Sequence, residues 1–79
     1  MPNQFLPRGQ VANLGAGVVP GNLQVIGVGA NYTIAIGGGG AVPHVVAVGA
    51  VNAHAVNGAA VTVTNTSPVP GPVNMAIIW

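Results

Sequence analysis

Apolar and polar residues alternate along much of this chain. In NLQVIGV, residues 22–28, Leu23, Val25 and Gly27 fall on one face and Gln24, Ile26 and Val28 on the other. In NYTIAI, Tyr32, Ile34 and Ile36 oppose Thr33 and Ala35. AAVTVTNT sets Val61 and Val63 against Thr62, Thr64 and Thr66, and VNMAIIW sets Val73, Met75, Ile77 and Trp79 against Asn74, Ala76 and Ile78. A period of two is the signature of half-buried strands, and Val, Ile, Thr and aromatics suit a pleated surface. Glu, Lys and Arg, which favour helices, are nearly absent, and Gly or Pro interrupts almost every window of helical length.

Turn residues divide the pattern into short pieces. Asn57-Gly58, between VNAHAV and AAVTVT, predicts a hairpin, because a type I′ turn needs positive φ at both central positions. Gly29-Ala30 and the run Gly37–Gly40 predict two further turns, the second loose. SPVPGPV, residues 67–73, carries three prolines that remove ladder donors, and reads as a rigid extended connector. Residues 1–21 hold Pro2, Pro7 and Pro20 with four glycines, a composition that suits an extended arm with a short strand near Gln10–Leu14.

The expected fold is therefore all-β. It is a small antiparallel β-sandwich or barrel of roughly five to seven strands, a reduced jelly roll in form. An extended N-terminal arm over residues 1–21 precedes a single β domain over residues 22–79.

Composition then limits how such a domain can exist. Seventy-nine residues bury only roughly 60% of their unfolded surface, so the core is marginal and needs outside support. No Cys is present, which excludes disulfides and thiolate zinc sites. Asp and Glu are absent too, Arg8 is the only Lys or Arg, and 51% of the residues are hydrophobic. Such a surface barely repels its own copies and can be covered without burying a charge. Self-association, or docking in a larger assembly, is the expected support.

Chemistry is limited by the same absences. A Ser-His-Asp triad, paired carboxylates and a carboxylate calcium site all need acids the chain lacks. The glycine run has neither the Lys nor the spacing of a phosphate loop. Tyr32, His44 and His54 are left as the groups able to move a proton. The two histidines could face each other if their strands paired around a short turn, but two nitrogens make a poor metal site, so no catalytic, cofactor or metal residue is assigned. One Arg cannot supply the phosphate contacts of a nucleic-acid binder. The most apolar window contains Pro43, both histidines and Asn57-Gly58, which does not suit a spanning helix.

The expectation for function is a non-enzymatic structural protein whose partners are copies of itself or a larger virion protein such as a major capsid protein. A phage-type capsid decoration, cement or spike-base protein fits best. It would be made in the cytoplasm without a signal peptide, since MPNQFLPRGQ lacks a basic and apolar leader. The alternatives are a subunit of a homopolymeric extracellular filament or surface layer, and a small receptor- or carbohydrate-binding module using Tyr32, Trp79 and Asn side chains. The expected assembly contacts are Phe5 and Leu6 as an anchor, Arg8 as an orienting charge, and Ile77, Ile78 and Trp79 as a strand completing a sheet.

Overall fold

The computed structural model describes residues 2–26, 29–67 and 74–79. The described residues form eight strands and no helix: β1 (Asn3–Pro7), β2 (Val11–Leu14), β3 (Asn22–Ile26), β4 (Ala30–Ile36), β5 (Val42–Val46), β6 (Val51–Ala55), β7 (Val61–Asn65) and β8 (Asn74–Ile78). Two four-stranded sheets pack as a sandwich, in the orders β1-β8-β3-β6 and β2-β7-β4-β5, and every pairing is antiparallel.

The topology reduces to one long hairpin, rolled up. Asn3 faces Ile78, Val11 faces Thr64, Asn22 faces Ala55 and Ala30 faces Val46, so the pairs close in on a common midpoint in the Gly37–Gly40 run. Each successive pair of strands lies in the opposite sheet. The ladder continues around the corners. Gly9 N–H donates to Asn65 O at 2.9 Å, and Asn65 N–H donates to Gln10 O at 3.1 Å. At the next corner Gly58 N–H donates to Val19 O at 2.7 Å. Rolling adds the pairings β3–β8 and β4–β7, and the product is the connectivity of an eight-stranded jelly roll.

The alternation decides which face is inside. Leu6, Leu23, Val25, Met75 and Ile77 enter the core from the first sheet, and Ala12, Ala30, Tyr32, Ile34, Val46, Val61 and Val63 from the second. Val19 and Val56 close one end from the two hydrogen-bonded corner loops. A buried amide joins the sheets near β1: Asn65 Nδ2 on β7 donates to Leu6 O at 2.8 Å, while its Oδ1 accepts from Ser67 Oγ at 2.6 Å.

Several expectations change in the fold. Asn57 (φ 53°) and Gly58 (φ 83°) do take the positive φ values of a tight turn. They do not close a hairpin, because β6 and β7 lie in opposite sheets. The turn instead sends the chain over the sandwich edge, and a two-residue turn signal cannot distinguish these outcomes. The strand count exceeds the expected range partly because Pro43 sits within β5. Edge strands tolerate proline, and β5 is an edge. Residues 3–7 and 11–14, read as arm, supply β1 and β2, which pair with β8 and β7 of the same chain. Within the connector read over residues 67–73, Pro68–Val73 lie outside the described residues.

Candidate functional site

Among the eight strands only β4, β5 and β6 carry a titratable side chain: Tyr32, His44 and His54. These three meet at one place. β5 is the edge of one sheet and β6 the edge of the other. His44 stands opposite Tyr32 in the register, and His54 opposite Leu23, so both imidazoles point between the sheets where the hydrophobic core gives out. The two ring centroids are 4.8 Å apart at 64°. Tyr32 stacks on His44 at 5.5 Å and 24°, and meets His54 edge-on.

The hydrogen bonds cross from sheet to sheet. Tyr32 Oη lies 2.6 Å from His54 Nε2. Asn52 Nδ2, from β6, donates to Tyr32 Oη at 3.0 Å and to Val45 O at 3.1 Å. Tyr32 Oη thus receives one hydrogen and has one to give. With the hydrogen of neutral His54 on Nδ1, Nε2 is the acceptor for the tyrosine hydrogen among the described residues. Burial holds His54 below the usual histidine range, and the neighbouring His44 charge lowers it further. Burial raises the Tyr32 hydroxyl, partly opposed by the Asn52 hydrogen bond. The expectation that the histidines could meet through paired strands reaches the right contact by a different route, since β5 and β6 do not pair but face each other across the sandwich. No third His, Cys, Asp or Glu joins them among the described residues.

The second feature is the outer face of the β1-β8-β3-β6 sheet. Phe5 stands opposite Ala76, Ala76 opposite Ile26, and Ile26 opposite Val51. These four form an apolar row from one edge strand to the other. Its two ends are open to solvent, with Phe5 74% and Val51 53% exposed. Ile78 borders the row on β8, beside Gln24 and Ala53 in the next register line.

The six expected contact residues divide between inside and outside. Phe5 and Ile78 share this outer face. Leu6 and Ile77 are buried in the chain's own core, and Trp79 packs against it while its N–H donates to Pro2 O at 3.1 Å. Arg8 lies half-buried in the turn between β1 and β2. Ile26, Val51 and Ala76 were not singled out from the sequence. Alternation marks Ile26 and Ala76 as facing away from their buried neighbours, but only the sheet order aligns them.

A shallow hollow beside β4 and β5 is lined by Asn31, Tyr32, Pro43, His44, Val45 and Thr66, and it contains no carboxylate, amine or thiol. The fold and its polar seam define a small jelly-roll sandwich whose strands carry no Lys, Arg, Asp or Glu. No protein-family model, curated protein or solved structure matches this chain.

Proposed function

We propose that this protein is a non-enzymatic structural subunit that docks in a larger protein assembly, as a small phage-type virion protein of the capsid-decoration, cement or spike-base kind. The observation that carries this reading is the row Phe5–Ala76–Ile26–Val51, apolar across a whole sheet in a chain whose single Lys or Arg is Arg8. A partner can cover that face without burying a charge, and interface cores are depleted in charge for that reason. The jelly roll occurs in capsid proteins and also in lectins and cupins, so it supports the reading by analogy of fold alone. The only serine, Ser67, is buried and bonded to Asn65, which leaves no free hydroxyl nucleophile of that type.

A homopolymeric filament or surface layer is the second reading, and the sheet edges favour it. Proline guards β1 and β5, but β2 and β6 are edges without Pro or charge. Unguarded edges invite strand addition from another chain. The carbohydrate-binding reading is weaker, because Tyr32 is wholly buried and cannot stack on a sugar.

Negative-stain microscopy and light scattering of the chain alone separate these readings. Small closed oligomers that do not grow are expected of an accessory virion protein. Fibres or extended sheets favour the polymer, and a monomer at all concentrations rejects both.

A further inference from the structure

We propose that Tyr32, His44 and His54 form a pH-sensitive latch between the two sheets, closed at neutral pH and opened by protonation of His54. This goes beyond the assembly reading, because it concerns the chain alone and holds whatever partner it has.

In the closed latch we assign the hydrogen of neutral His54 to Nδ1, so that Tyr32 Oη accepts from Asn52 Nδ2 and donates to His54 Nε2. A proton added to His54 goes onto Nε2, the nitrogen that accepts. Nε2–H then points at Tyr32 Oη, which already receives the Asn52 hydrogen, and the tyrosine hydrogen loses its acceptor. Tyr32 is fully buried, so that hydrogen cannot turn to solvent without movement of the strands.

No anionic side chain faces the new charge on half-buried His54. The titratable group facing His54 from β4 is Tyr32, and from β5 it is His44, with ring centroids 5.7 Å and 4.8 Å away. β3, which pairs with β6, carries none, and neither do β7 or β8. The chain has no Asp or Glu, and Arg8 follows β1, at the opposite edge of the sheet from β6. A positive charge on His54 therefore meets a buried hydroxyl and a second imidazole, with no side-chain anion to pair it. Because these groups join β4 and β5 of one sheet to β6 of the other, their separation opens the seam and frees the β6 edge.

The sign follows from linkage. Folding holds the His54 proton affinity below that of the unfolded chain, whose histidines titrate at about 6.5. Stability is fully present above that pH. It is lost as pH falls through that value towards the folded one, because the unfolded chain takes up a proton the folded chain refuses.

The test is thermal unfolding between about pH 5 and about pH 7.5, with an NMR titration of the two imidazoles. The expected result is a Tm at the acid end lower by about 4 °C or more, early loss of amide-exchange protection in β5 and β6, and His54 titrating below a histidine in an unstructured peptide. The double variant His44→Gln, His54→Gln is expected to lose the acid sensitivity. A wild-type Tm that does not move, an equal slope in the double variant, or His54 titrating at or above the peptide value would overturn the latch. Should the double variant fail to fold, His44→Gln alone keeps the Tyr32 bond and removes the facing charge. It should raise the His54 titration point, and an unmoved one counts against the cluster.

Discussion

Tyr32 and His54, twenty-two positions apart in the chain and on opposite sheets, are joined through Oη and Nε2 at 2.6 Å. Tyr32 is also the largest fully buried side chain. The contact places one of the polar cross-links between the sheets where the valine core ends, at the two edge strands β5 and β6.

Removing the hydroxyl isolates that contribution. Tyr32→Phe keeps the ring in the core but leaves His54 Nε2 without its partner, while Asn52 keeps its bond to Val45 O. The expected loss is about 0.5–1.5 kcal/mol, the net worth of a hydrogen bond at a part-buried site. Urea unfolding at neutral pH measures it, and an unchanged midpoint would show that the bond carries no stability.

Ile77 and Ile78 test the alternation directly. Ile77 is fully buried between the sheets, whereas Ile78 lies half-exposed on the outer face. Ile77→Ala should cost about 2–5 kcal/mol through lost burial and the cavity left behind. Ile78→Ala should cost less than about 1 kcal/mol. Equal losses in denaturant unfolding would mean that β8 is placed in the wrong register.

That contrast also marks how far the sequence can be read. Period-two alternation found the inward faces of β3, β4, β7 and β8, because burial on one side of a strand imprints residue by residue. Asn57-Gly58 announced a turn but not its destination, since the same local dihedrals serve a hairpin and a crossing between sheets. β1 and β5 were obscured by Pro7 and Pro43, which penalise central strands and are tolerated at edges. The row Phe5–Ala76–Ile26–Val51 draws one residue from each of four strands distant in sequence, so only the sheet order could assemble it. Tyr32, His44 and His54 were legible as the chain's few titratable groups. Their convergence depends on the roll that brings β5 over β6.

Gly58 offers a test of the corner. Its φ of 83° belongs to the left-handed region, and a Cβ there would meet nothing within 4 Å. Gly58→Ala therefore changes backbone strain alone and should destabilise by about 1–2 kcal/mol. Val56 and Asn57, whose N–H groups both donate to Gly21 O at this turn, should lose amide-exchange protection first. A neutral substitution would contradict the turn geometry.

Asn65 secures the other side of the sandwich. Asn65→Ala removes the bond from β7 to Leu6 O and leaves Ser67 Oγ without its short acceptor. A loss of about 1–3 kcal/mol is expected in thermal or urea unfolding. Asn65→Asp should be no milder, because a carboxylate cannot donate to Leu6 O and would be buried.

The proposed contact surface is the outer face of the β1-β8-β3-β6 sheet, with its apolar row from Phe5 to Val51. Sedimentation of the wild type over a wide concentration range, beside Phe5→Glu, tests it most directly. Phe5 is 74% exposed, so the substitution should leave the fold intact while placing a charge at the end of the apolar row. The expected result is a wild-type mass above that of one chain and a Phe5→Glu variant shifted to monomer with unchanged circular dichroism. A wild type that stays monomeric throughout, or a variant that associates as strongly as the wild type, would contradict it.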